Sequence, residues 1–173
     1  MNEYEYEDDE GFSPRPSPRP SQAVSPAAGR RVLALDVGER RIGVAMSDTE
    51  GILAAPLTTL KASPRSQALA QIAALVRHHT VDDVVVGLPL TMSGEIGPQA
   101  RVVQSFAGEL ETVLGQPVHL FDERLTSIAA EQMMRDLGVK PSRRKDRIDE
   151  VAASIILQDY LDHTRNQERY RCP

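Results

Sequence analysis

The chain has 173 residues with 20 Lys and Arg against 25 Asp and Glu, a formal net charge of −5. That length suits one domain with a full core and is too short for two comfortable ones. A single cysteine, Cys172, excludes a disulfide framework and a cysteine-built metal site, and it fits a reducing, cytoplasmic location. The acidic N-terminus has no apolar segment of the secretory type, and no apolar run approaches a membrane span, so no membrane partner is expected.

The negative charge is unevenly spread. Residues 1–29 hold Glu3, Glu5, Glu7, Asp8, Asp9 and Glu10 against Arg15 and Arg19, a net of −4, which leaves the remainder at −1. Residues 1–30 combine the like-charge run EYEYEDDE with the repeat SPRPSPRPS, and they read as a disordered acidic, proline-rich tail that can bury nothing. The expected organisation is this tail, a folded domain over residues 31–165, and a short C-terminal tail over 166–173.

VLALDV (32–37) reads as a buried strand, followed by a tight turn at Gly38, and RIGVAMS (41–47) as a second strand. GILAAPLTTL (51–60) reads as a third, which makes an antiparallel meander. Ser63-Pro64 is the pattern of an N-cap with a first-turn proline, and it should open a helix with the stripe Leu69, Ile72, Ala73 and Val76. VDDVVVGLPL (81–90) reads as a buried fourth strand. After the loop TMSGEIG, Pro98 begins a helix with Val102, Val103, Phe106, Leu110 and Val113 at helical spacing. PVHLF is a short fifth strand, residues 126–137 a helix stopped by Gly138, VKPSRRKD (139–146) a basic loop, and 147–163 a last helix facing inward through Val151, Ala152, Ile155 and Ile156. Strands joined through helices run parallel. The economical fold is a mixed five-stranded α/β sheet covered by helices; if strand one pairs with strand four, strands one, four and five share a C-terminal rim where ligands bind.

Three acids fall at that rim: Asp36 at the end of strand one, Glu123 after strand five, and Asp149 ahead of the last helix's apolar stripe. Converging carboxylates repel one another unless a cation lies between them. Hard divalent ions take oxygen ligands, and two ions roughly 3.5–4 Å apart can serve phosphodiester cleavage. Each acid also has a plainer reading: backbone satisfaction at a strand end for Asp36, a surface ion pair with Arg124 for Glu123, and favourable helix-dipole placement for Asp149. Lys140, Arg143, Arg144, Lys145 and Arg147 lie within eight residues beside Asp149, either as a solvated loop or as a phosphate clamp. Arg40 and Arg41 at the first turn could reach the same backbone. Aromatic residues are scarce, so base stacking is not an obvious recognition mode. Gly38 and Gly43 have P-loop spacing, but Val44-Ala45 replaces the required Lys-Ser/Thr. His78, His79, His119 and His163 show no ligand spacing and read as structural or surface residues.

LALDVGERRIGVAMSD, VVVGLPLTMSGEIGPQA, FDERLTS and RIDEVAASIIL, in that order, resemble the YqgF/RuvX family of bacterial pre-16S rRNA nucleases and Holliday-junction-resolvase-like proteins. The resemblance covers about residues 31–163. It implies an RNase H-like fold with strand order 3-2-1-4-5, and divalent-metal nuclease chemistry with one or two Mg²⁺ or Mn²⁺ ions. The family's strand-one aspartate falls on Asp36, the glutamate of its Asp-Glu-Arg motif on Glu123, and its final-helix aspartate on Asp149. Asp122, Asp146 and Glu150 are the rival ligands. Related enzymes carry a carboxylate at the end of strand four where this chain has Gly87-Leu88-Pro89, so the second ligand has to come from strand five.

The implied substrate is nucleic acid, with precursor 16S rRNA favoured and four-way DNA as the alternative, cut by a monomer or a homodimer. A non-catalytic nucleic-acid or transcription-complex module is a reading from another class, disfavoured by three intact acids. An actin-like ATPase would need a second lobe for which the chain lacks the length.

Overall fold

The computed structural model describes residues 29–123 and 141–171, and in the last helix the side chains of 149–167. Eight elements follow in order: β1 (Val32–Val37), β2 (Arg41–Ser47), β3 (Ala54–Lys61), α1 (Arg65–His78), β4 (Asp83–Leu88), α2 (Pro98–Leu114), β5 (Val118–Asp122) and α3 (Pro141–Arg171). The sheet order is β3-β2-β1-β4-β5. β2 is antiparallel to β1 and to β3, whereas β1, β4 and β5 are parallel. This is the RNase H-like arrangement that the sequence leads one to expect.

Side chains alternate across a strand, so each face of the sheet can be read by parity. Leu33, Leu35 and Val37 of β1, with Ile42, Val44, Val84 and Val86, pack beneath α1 and α2 through Leu69, Ile72, Val103, Phe106 and Leu110. Val32 and Ala34, with Ala45 and Val85, face α3 through Ala153, Leu157, Tyr160 and Leu161. The α3 side is lined by smaller residues, which lets one long helix lie close across three strands.

Several local expectations are corrected. β3 begins at Ala54 rather than Gly51. The preceding residues form a turn in which the Asp48 carboxylate accepts the Ile52 N–H at 2.7 Å. Pro64, in extended conformation, occupies the N-cap of α1, and Ser63 makes no capping bond. In α2, Val102 and Val113 are 46% and 50% exposed, because Ala100 and Ala107 take the inward positions instead.

The last helix departs furthest from its expected bounds. α3 starts at Pro141, so residues 141–146 are helical rather than a basic loop, and it continues to Arg171, past 163. Its buried stripe runs through Ala153, Ile156, Leu157, Tyr160, Leu161 and Thr164, with Ile155 also inside, whereas Val151 and Ala152 are only half-buried. The helix expected over 126–137 lies outside the described residues.

Candidate active site

Parity decides which side chains meet. Asp36 shares the α3 face with Val32 and Ala34, and its antiparallel partner is Gly43. Gly87 lies two residues beyond Val85 on the same face. Glu123, two residues beyond Phe121 of that cluster, continues the alternation just past the end of β5. There its N–H donates to the Leu88 carbonyl at 3.2 Å.

Glycines at 43 and 87 leave the space that the acids fill. An added Cβ at Gly43 would fall on the carbonyl oxygen of Asp149, so the α3 backbone rests directly on β2 opposite Asp36. A Cβ at Gly87 would fall on Oε1 of Glu123, with Ile156 Cδ1 at 2.7 Å. The Glu123 carboxylate therefore occupies the volume that a strand-four side chain would take. The absence of an acid at the end of β4 and the presence of one after β5 are thus a single arrangement.

Electrostatics tie the three acids together. Burial, and then the charge of Asp149, raise the Asp36 pKa to about 6. Burial, then Asp36, then Asp122 raise that of Glu123 to about 7. Among the described residues no three acidic, histidine or cysteine side chains stand close enough to enclose an ion as they lie. The coupling among the three acids acts through Asp36. The Arg41 guanidinium approaches Asp149 at 3.8 Å, so it sits beside a carboxylate rather than only at the turn tip.

The rivals separate partly. Thr59 Oγ1 donates to Glu150 at 3.3 Å, turning that acid toward β3, whereas the Asp149 charge reaches Asp36. Asp149 lies in the third turn of α3, not the first, so the helix dipole no longer accounts for it. Asp122 pairs in register with Leu88 and acts on Glu123. Arg40 is exposed at the turn, and its carbonyl accepts the Ala62 N–H at 3.0 Å. Arg143, Arg144, Lys145, Asp146 and Arg147 are on the early turns of α3. Their side chains, and Lys140 altogether, lie outside the described residues.

Sequence reasoning missed two rim residues. Gln99, in the first turn of α2, donates to the Val37 carbonyl at 3.3 Å and ties α2 to the strand that carries Asp36. Thr59 orients Glu150. Neither residue type carries a chemical signature, since both roles arise only when distant segments meet. A further group lies at the opposite end of the sheet. Asp83 is buried, 3.2 Å from Arg30 Nη2 and 3.9 Å from His119 Nε2. Tyr160 packs over His119 and Phe121 with centroid separations of 6.4 and 5.7 Å. His119 is therefore structural, as its lack of ligand spacing suggested.

The family described as "RuvX: Holliday junction resolvase" matches residues 30–163. A protein of Chloroflexus aggregans named "Putative pre-16S rRNA nuclease" is 65% identical over 135 residues, covering 78% of this chain and 95% of that protein. One of the same name from Moorella thermoacetica is 47% identical over 132 residues, covering 76% of this chain and 94% of its own length. Among solved structures, "T. thermophilus RuvC in complex with Holliday junction substrate" aligns with a TM-score of 0.49 at 16% identity, over 78% of this chain and 95% of that one. The match runs from two residues before β1 through most of α3 and takes in every element of the sheet, so the chain belongs to the RuvX family.

Proposed function

We propose that this protein is a cytoplasmic, metal-dependent nuclease that hydrolyses phosphodiester bonds in structured RNA, trimming the 5′ end of a 16S rRNA precursor. The observation that carries this reading is the shared face of Asp36, Asp149 and Glu123 at one sheet rim, where their charges act on one another. Relatives named as pre-16S rRNA nucleases direct it to RNA. The description of the family itself favours four-way DNA as a second substrate.

The donor chemistry fits a hard divalent cation. All three side chains offer oxygen, and the raised pKa values of Asp36 and Glu123 reflect burial and the neighbouring carboxylates, which a bound cation would offset. Asp36, between the other two, would hold the ion together with Glu123 and Asp149. Mg²⁺ or Mn²⁺ held there would supply activation of water and stabilisation of the leaving oxygen. The chain's own part is to orient the scissile phosphate. Arg41 stands beside Asp149 to meet it, and the cations on the first turns of α3 bring in the flanking backbone.

Parallel cleavage of a precursor-rRNA fragment and a synthetic four-way DNA, each in Mg²⁺ and Mn²⁺, tests the reading. RNA is cut at its 5′ side by the wild type, and Asp36→Asn abolishes the cut with the fold intact by circular dichroism. Wild-type cleavage by that variant overturns the site, and cleavage of the junction alone transfers the activity to DNA. Binding of either substrate with no metal-stimulated cleavage identifies a binding module instead. Metal binding has its own readout. Mn²⁺ raises the melting temperature at pH 8 and not at pH 5, where Asp36 and Glu123 are protonated, and Asp36→Asn removes the rise.

A further inference from the structure

One exposed group at the rim has no role in the site described above. The loop 89–97, between β4 and α2, begins where Leu88 receives the Glu123 N–H and ends two residues before Gln99, which holds the Val37 carbonyl. It leaves the C-terminal end of β4, the strand that lies between that of Asp36 and that preceding Glu123, and so stands at the same rim. At its tip Met92 is 91% exposed, the most exposed of the large apolar side chains described, and Ile96 beside it is 46% exposed.

The loop is built to hold that position. Thr91 Oγ1 lies 2.9 Å from Ser93 Oγ and accepts the Glu95 N–H at 2.9 Å. The Thr91 N–H donates to the Glu95 carbonyl at 3.0 Å, and the Gly94 N–H to the Thr91 carbonyl at 2.8 Å. Gly94 adopts φ of +84°, the left-handed conformation that closes such a turn. Five residues thus form a self-bonded turn that projects Met92 into solvent. An apolar side chain fixed in this way forgoes the burial it would otherwise gain.

We propose that Met92 is a wedge that packs against a nucleobase at a boundary between paired and unpaired RNA and so selects the bond to be cut. The inference rests on the nuclease reading of the rim. Among the described residues, the rings of Phe106 and Tyr160 are 2% exposed, and the half-buried Phe121 is packed against Tyr160 and His163, so none of them projects into solvent as Met92 does. Apolar side chains that part base steps in nucleic acids include methionine and isoleucine, and the polarisable thioether adapts to a flat ring. The acids of the rim supply hydrolysis without base preference. A projecting apolar tip supplies the register that they lack.

The test uses the full chain and an RNA hairpin with a single-stranded 5′ extension, carrying 2-aminopurine in the base pair that closes the stem. With EDTA present, saturating wild type raises the 2-aminopurine fluorescence. Met92→Ser binds the hairpin within about threefold by anisotropy, gives no rise, and loses about tenfold in kcat on the hairpin in Mg²⁺. Its kcat on a fully single-stranded RNA of the same sequence is unchanged, and Met92→Phe restores both the fluorescence rise and the hairpin rate.

A wild-type-like rise in Met92→Ser, an equal fall in kcat on both RNAs, or no rise with bound wild type overturns the wedge. A rise with four-way DNA but none with the hairpin overturns its assignment to RNA. Failure of the wild type to cleave either RNA overturns the nuclease reading, while the fluorescence arm still decides on Met92.

Discussion

At the scale of single residues, Asp36 has consequences for stability as well as for chemistry. Its pKa stands at about 6 against 3.8 for a free side chain, and that of Glu123 at about 7 against 4.5. Between those values the folded chain binds more protons than the unfolded one. The contribution of these two groups to stability without metal is therefore greatest below about pH 4, falls as the pH rises to about 7, and is flat beyond that. Asp36→Asn removes a buried charge and relieves Glu123 as well. We expect it to be more stable than the wild type by about 1–3 kcal/mol at pH 8, with no gain at pH 4, in urea unfolding with EDTA. A wild-type slope in the variant would contradict this electrostatic account. Asp36 was legible in the sequence because a carboxylate ending an apolar strand is conspicuous. The turning of Glu150 away toward β3 was not, because it depends on Thr59, 91 residues away from Glu150.

At the scale of elements, the two glycines do different work. Gly43 meets backbone, the Asp149 carbonyl, and backbone within a long packed helix cannot yield by the required distance. Gly87 meets the ends of two side chains, Glu123 and Ile156, which can swing aside. Gly43→Ala should therefore lose about 1–3 kcal/mol of stability through overpacking. Gly87→Ala should keep more of its stability but lose cleavage, as its methyl displaces the Glu123 carboxylate from the rim. Thermal unfolding and cleavage measured on both variants check the contrast, and similar losses in the two assays would refute it. The strands and the first two helices were legible because their periodicities are clean. The start of α3 was not, since a run such as KPSRRKD carries no apolar stripe and its charges read equally well as loop.

At the scale of the whole molecule, chemistry and anchorage sit at opposite ends of the sheet. The acids crowd the C-terminal rim, while α3 is pinned at the other end by Tyr160 against His119 and Phe121, above the Arg30–Asp83 pair. The Tyr160 hydroxyl is buried and makes no hydrogen bond among the described residues. Burial, and then the Asp83 charge, push its pKa up to about 12. Tyr160→Phe should keep the ring packing and raise stability by about 1 kcal/mol at neutral pH, since a desolvated, unbonded hydroxyl is lost. A destabilised variant in the same urea titration would mean that the hydroxyl has a partner. Connection rules made the crossover-joined strands parallel, but the order of the sheet came from the family resemblance, because those rules leave the pairing of strand one with strand four as an assumption. The polar anchor came from neither, because Asp83, His119 and Tyr160 come from three separate elements.

The outer strand of the meander has a consequence for coexistence with other chains. β3 is the open edge of the sheet, where unpaired backbone groups could template a neighbouring molecule. Pro56 in that strand has no N–H to offer, the register slips between Val44 and Ala45 where Pro56 is paired, and Lys61 puts an exposed charge at the strand's end. The β3 edge thus carries its own protection against fibrous stacking.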